Sequence, residues 1–388
     1  MIVLVLSVSS LPSIKIIIPS FLHQQKVSSA VENTTTIRQE SPVNVQTDNN
    51  NNNNNKTLEQ RAKSYFIFPS QKAFFNLGLN ATKQSDAAML SGKETIQHTR
   101  AVASTALSFT RTKASPKMTS IKDYYIPSQD GNQILLRIFD PGVKQKPSPV
   151  LIFVHGGGWI VGTLDIFDDS IKRLANSSGL MVAAINYRLA PEHPFPAGLN
   201  DVVSAVRWIS ANGGANLGID TKNMALGGDS AGANLALSAA LALRNSNEGH
   251  ILRALYLLYG IYSPTILNSQ SMKMFGGGGF GLTYAQMRWP MNQTFKNASD
   301  YKNPLAFPLL DKNLTGLPPV YIAAMALDPL KDDSIQLANR FQQSGQEYYL
   351  AIWPGVSHGA LSLIPVTPEI QKYLDAMTIY LKGFLTQS

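Results

Sequence analysis

The sequence predicts an α/β protein built on a mostly parallel, doubly wound sheet. Two observations carry this. Short apolar runs recur from residue 121 to the end of the 388-residue chain, and helical stretches separate most of them. Runs that are apolar on both sides suit strands buried on both faces, as in a parallel sheet between helix layers.

Met1 to Leu22 is apolar but broken by Pro12, Lys15 and Pro19, too interrupted for the ~20 apolar residues of a membrane span. It has the apolar core of an export signal without a Lys or Arg before it. Lys26 to Gln60 is rich in Ser, Thr, Asn and Gln, with an unbroken run Asn49–Asn55. Such sequence buries too little apolar surface to offset its ordering entropy. Residues 1–56 are therefore expected to form a disordered or targeting tail, leaving an exported or a cytosolic address open. Leu58, Ala62, Tyr65, Phe66, Phe74, Phe75, Leu77 and Leu79 then follow a half-buried helical pattern. Residues 57–120 are expected to supply helices that cap the body or pack on it.

The body spans 121–388. Tyr124–Pro127 and Ile134–Phe139 flank the turn Gln129-Asp130-Gly131-Asn132, a hairpin signal. Val150–Val154, Met181–Ile185, Met224–Leu226, Ala254–Tyr259, Val320–Ala324 and Tyr348–Trp353 complete eight strands. Leu199, Val202, Val203, Val206 and Ile209 mark one helix face, and Ala231–Arg244 is apolar nearly all round, as a central buried helix is. Ile335–Gln343 and Ile370–Phe384 give two more helices. Residues 263–308 break the rhythm, carry Gly276–Gly279, and read as an insertion with a mobile loop.

Composition narrows the chemistry. With no cysteine, disulfide scaffolds, Cys-ligated metals and thiol catalysis are excluded. The net charge of +8 is unevenly placed: 13 Lys/Arg face 6 Asp/Glu before residue 121, and 20 face 19 after it. A diffuse basic excess without Arg clusters or interleaved aromatics is a poor nucleic-acid signal, so no nucleic-acid partner is expected.

Gly228-Asp229-Ser230-Ala231-Gly232 lies between a strand and a helix, where G-x-S-x-G forms a nucleophile elbow. The turn strains the serine and exposes its Oγ, and the helix N-terminus behind it favours developing negative charge. Without that context the motif is only a tight glycine turn. His155-Gly156-Gly157-Gly158-Trp159 follows Val150–Val154, so its glycine amides can turn inward as oxyanion donors. A phosphate cradle would instead need G-x-G-x-x-G or a P-loop lysine in this loop, and neither is present there. His155 is expected to orient this loop.

A serine nucleophile needs a histidine base, itself oriented by an acid, in the chain order Ser, Asp/Glu, His. Of six histidines only His250 and His358 follow Ser230, and His250 sits in a polar loop without a suitable acid before it. His358 lies just beyond a strand, and Asp328 occupies the equivalent loop one strand earlier. Asp332 and Asp333 are rivals placed inside the next helix, where they read as first-turn charges favoured by its dipole.

Together His155-Gly-Gly-Gly158, Tyr187-Arg-Leu-Ala-Pro-Glu-His-Pro-Phe-Pro196, Gly228–Gly232, Asp328-Pro-Leu-Lys-Asp332 and Ser357-His-Gly359 resemble the hormone-sensitive-lipase-like (bacterial family IV) serine esterases of the α/β-hydrolase superfamily. The resemblance covers Ile121 to the C-terminus. It implies an α/β-hydrolase fold, a mostly parallel eight-stranded sheet flanked by helices, with a helical cap formed by 57–120 and the insertion 263–308. It further implies a carboxylesterase for short- to medium-chain acyl esters, with Ser230, His358 and Asp328 as triad and Gly157, Gly158 and Ala231 as oxyanion hole. Glu192 and Asp201 match positions read as structural. Ala233, Gly260 and Ala360 depart from common family residues, the last two beside the acyl pocket. Receptors on this fold lack the histidine that His358 supplies. The expected partner is a small acyl ester; no metal, cofactor or stable membrane span is expected, and a homodimer is compatible with the family. The alternatives are an amidase or thioesterase on the same triad, or a non-catalytic small-ligand-binding protein.

Overall fold

The computed structural model describes residues 15–17, 65–108, 115–144 and 146–386. Its strands are β1 (Lys15–Ile17), β2 (Ser120–Pro127), β3 (Gln133–Asp140), β4 (Ser148–Val154), β5 (Met181–Asn186), β6 (Ile219–Asp229), β7 (Ala254–Leu258), β8 (Val320–Leu327) and β9 (Tyr348–Ser357). They form one sheet in the order β1-β9-β8-β7-β6-β4-β5-β3-β2. The pairs β2–β3 and β3–β5 are antiparallel and the rest parallel. The eight strands from Ser120 onward are the eight apolar runs of the α/β-hydrolase fold. To them the segment 1–56 adds Lys15–Ile17, parallel to β9 at Tyr349–Ala351. The expected Asn-rich linker and residues 57–64 lie outside the described residues.

The β2–β3 turn follows its sequence signal. The Ser128 amide donates to Asn132 O at 2.8 Å, the Gly131 amide to Ser128 O at 3.1 Å, and Gly131 takes φ +82°. A side chain there would meet the strain that glycine avoids.

Helices cover both faces. On one lie α4 (Ala197–Leu217), α5 (Ala231–Asn245) and α8 (Lys331–Gln343); on the other lie α3 (Asp168–Ser178) and α10 (Glu369–Thr386). Val150, Ile152 and Val154 of β4 face the first layer, and Leu151 and Phe153 the second. Both sets are buried, which is why the strand shows no polar alternation. Every residue of α5 from Ala231 to Leu241 is buried, so it is the central helix its composition indicated. Its Leu237 and Leu241 are fully enclosed, and truncating either to alanine costs about 2–5 kcal/mol.

The N-terminal segment folds as α1 (Pro69–Leu90) and α2 (Ile96–Ser108), and residues 263–308 carry α6 (Gln270–Phe275) and α7 (Tyr284–Thr294). A capping box starts α7: Thr283 accepts from the Gln286 amide, and the Gln286 side chain accepts from the Thr283 amide. The Thr283 hydroxyl also donates to Asp86 on α1 at 2.8 Å, joining the two segments. A last short helix, α9 (Ala360–Leu363), follows β9.

Candidate active site

β6 ends at Asp229 and α5 begins at Ala231, so Ser230 alone makes the turn. It adopts φ 54°, ψ −120°, the strained conformation expected of an elbow. The flanking glycines are steric necessities. A Cβ on Gly232 would lie 2.0 Å from Val154 O, and one on Gly228 2.5 Å from both Val154 O and the Gly232 carbonyl carbon. The Ser230 amide is fastened to Leu258 O at 2.8 Å.

Beyond the ends of β8 and β9 stand Asp328 and His358. Ser230 Oγ lies 3.0 Å from His358 Nε2, and His358 Nδ1 lies 2.9 Å from Asp328 Oδ2. The second carboxylate oxygen of Asp328 accepts the Leu330 amide at 2.8 Å, fixing an acid that is 0% exposed. The three residues that the sequence separates by up to 128 positions thus form one relay at the carboxyl edge of the sheet.

Asp332 and Asp333 do fall in the first turn of α8, but dipole pairing is an incomplete account of them. Asp333 is wholly buried, and its Oδ2 accepts the amides of Tyr262 at 2.6 Å and Ser263 at 2.8 Å. Asp332 accepts the Ser271 amide at 2.8 Å. Both anchor residues 262–271. Burial pushes the Asp333 carboxyl up to about 7, the two amides opposing that rise. No local sequence signal announces a partner 70 positions away.

In the glycine loop, Gly157 and Gly158 take φ +112° and +59°. A Cβ on Gly157 would sit 2.1 Å from Val161 O, so only glycine fits. Gly158 packs under Pro290 of α7, whose ring would lie 3.1 Å from an added Cβ. The Gly156 amide donates to Asp229 Oδ1 at 2.8 Å, whereas the Gly157 and Gly158 amides donate to no protein acceptor among the described residues. His155 accordingly orients the loop: its ring stacks between Phe167 and Tyr187, with Nδ1 2.7 Å from Gly156 O. Burial lowers its pKa to about 4, which keeps the ring neutral at pH 7.

Two supports were missed by sequence reasoning. Asp229 also accepts from the Tyr259 hydroxyl at 3.3 Å; that oxygen accepts the Leu361 amide at 3.1 Å, and the Tyr259 ring meets His358 edge-on. Asp229 and Tyr259 thereby link the glycine loop, the elbow and the histidine segment. From α1, buried Gln71 accepts the Ser357 amide at 3.1 Å. Gly281 of the insertion also reaches this segment, because a Cβ there would lie 2.6 Å from His358 O. Among the described residues no three His, Asp or Glu side chains cluster as metal ligands, and no helix is long and apolar enough to cross a membrane.

A family profile described as alpha/beta hydrolase fold matches residues 151–362. The chain is 34% identical over 246 residues to a carboxylic ester hydrolase, LipN, of Mycobacterium tuberculosis, covering 63% of this chain and 65% of that one. It thus spans just under two thirds of LipN. It is 30% identical over 257 residues to an ethyl acetate hydrolase of Pseudomonas putida, covering 66% and 80% of the two chains. A solved esterase from Pyrobaculum calidifontis superposes with a TM-score of 0.71 at 29% identity, covering 75% of this chain and 93% of that one. Fold and likeness define the class, the α/β hydrolases. Within it, the chain belongs to the hormone-sensitive-lipase-like family of carboxylic ester hydrolases.

Proposed function

We propose that the protein is a serine carboxylesterase acting on small acyl esters of short to medium chain length through an acyl-enzyme. The observation that carries this reading is the relay Ser230 Oγ–His358 Nε2–Asp328, at 3.0 and 2.9 Å. His358 takes the hydroxyl proton as Ser230 attacks the ester carbonyl, and Asp328 holds the imidazole in the required tautomer. The tetrahedral oxyanion is received by the amides of Gly157, Gly158 and Ala231. His358 returns the proton to the departing alcohol, then activates the water that releases the acid. Helices α1 and α2, with residues 263–308, serve as a cap over the acyl pocket; the Asp86–Thr283 bond and the packing of Pro290 against Gly158 support that role.

A p-nitrophenyl ester series of increasing chain length, run on wild type and Ser230→Ala, tests the proposal. Activity greatest on short or medium chains is expected, with loss of ~10⁴-fold or more in Ser230→Ala and fluorophosphonate labelling of Ser230 in wild type. Turnover of amides or thioesters in preference to esters would move the substrate class. Folded protein with neither turnover nor labelling would leave a binding protein.

A further inference from the structure

Helix α2 lies outside the residues that match the family profile, and none of its side chains is fully buried. Its Arg100 nevertheless reaches into the body. Nε donates to Ile160 O at 2.9 Å and Nη2 to Ala190 O at 3.2 Å, while Nη1 and Nη2 grip the two Glu192 oxygens at 2.8 and 2.7 Å. Three consequences follow from where those acceptors sit. Ile160 closes the glycine turn, its amide donating to Gly157 O at 3.2 Å. Ala190 holds the same turn from the side, its amide donating to Trp159 O at 3.0 Å. Glu192 neutralises the guanidinium and sets its plane; the Arg100 hydrogen bonds in turn hold its carboxyl below the usual range.

The glycine loop is held at several points, among them the buried Trp159, whose Nε1 donates to Asn234 Oδ1 at 3.2 Å and whose ring meets Phe295 edge-on. Asp229 holds Gly156 from within, and Arg100 holds Ile160 from a helix that precedes the residues of the family profile. Between Asp229 and Arg100 lie Gly157 and Gly158, which have no side chains to anchor them and are placed through their backbone, Gly157 O accepting the Ile160 amide at 3.2 Å and the Val161 amide at 3.0 Å. An oxyanion donor must be held within about 0.5 Å of its productive place to act.

We propose that Arg100 is a positioning residue for the oxyanion loop, holding the 157–160 turn so that the Gly157 and Gly158 amides face the reacting carbonyl oxygen. This rests on the esterase reading above. Lysine cannot replace it, because one ammonium cannot span two carbonyls and a carboxylate as a planar fork does.

The test compares wild type, Arg100→Ala, Arg100→Lys and Glu192→Gln in the full chain. Three quantities are read: kcat and KM on a p-nitrophenyl ester, the inhibition constant of a trifluoromethyl ketone that forms a tetrahedral oxyanion on Ser230, and the melting temperature. Arg100→Ala is expected to lower kcat by ~10–100-fold, short of the ~10²–10³ of a deleted donor. KM should stay within about threefold, the ketone should weaken by the same factor as kcat, and Arg100→Lys should recover little. Glu192→Gln, which keeps both carbonyl contacts, should lose only a few-fold. A lowered melting temperature with kcat and ketone affinity within twofold of wild type overturns the proposal, leaving Arg100 a staple for α2. Should Arg100→Ala fail to fold, Arg100→Lys decides on the same criteria. Wild type that neither turns over esters nor labels at Ser230 overturns the esterase reading, and this proposal with it; a loss confined to the variants bears on Arg100 alone.

Discussion

Asp229 holds the amide of Gly156 at 2.8 Å, while the Gly157 and Gly158 amides find no protein acceptor among the described residues. In the proposed mechanism, Asp229, beside Ser230, takes the first N–H of the loop and leaves those of Gly157 and Gly158 for the oxyanion. Asp229→Ala should therefore release the loop and lower kcat by ~10²-fold, whereas Asp229→Asn, which keeps an oxygen acceptor, should lose far less. Steady-state kinetics on both variants check this; equal losses would mean the charge matters rather than the bond.

Asp328 is distinguished from its neighbours by what each carboxylate holds. Asp328→Asn should cost ~10⁴-fold in kcat, because the amide favours the wrong histidine tautomer. Asp332→Asn and Asp333→Asn should stay within about tenfold of wild type, since their bonds go to amides of residues 262–271. Kinetics of the three variants side by side would expose a misassigned acid.

Asp333 also predicts a pH dependence of stability. Its folded pKa of about 7 lies above its ordinary value of 3.8, so between these the native state binds the extra proton. Stability from this group is then full below pH 4 and declines as pH rises towards 7. The difference is on the order of 4 kcal/mol. Urea unfolding at pH 4.5 and 7.5 should show wild type losing its advantage over Asp333→Asn at the higher pH. A difference independent of pH would refute the shift.

Glycines separate cleanly by their surroundings. Gly232→Ala places a methyl 2.0 Å from Val154 O and 2.6 Å from His155 O, both backbone, and should destabilise by about 3 kcal/mol or more. Gly383→Ala, in α10 with nothing within 4 Å, should stabilise by up to ~1 kcal/mol through helix propensity. Melting temperatures of the two variants should move in opposite directions.

The parts legible in the sequence were those written locally. The strand runs, the Gly131 hairpin and the Gly228–Gly232 elbow each depend on neighbours within a few residues. The positions of Asp328 and His358 followed from chain order and strand ends. Asp333, Tyr259, Gln71 and Arg100 were not legible in their roles, because each acts through a partner far away in the chain, and a polar side chain bonding to a distant amide or carbonyl leaves no periodic trace. The first five residues of β6, Ile219–Asn223, were missed because they form the irregular start of the strand, where only Ile219 pairs across the bulge with Ser148.

The Gln71–Ser357 bond joins residues 286 positions apart, and that separation bears on the order of synthesis. A ribosome releases α1 well before the histidine segment. The Gly228–Gly232 turn can close while the chain is still growing, but the segment carrying His358 gains its Gln71 support only when α1 meets the end of β9. The hydrogen bond that fastens Ser357 to Gln71 therefore forms only after translation has passed residue 357.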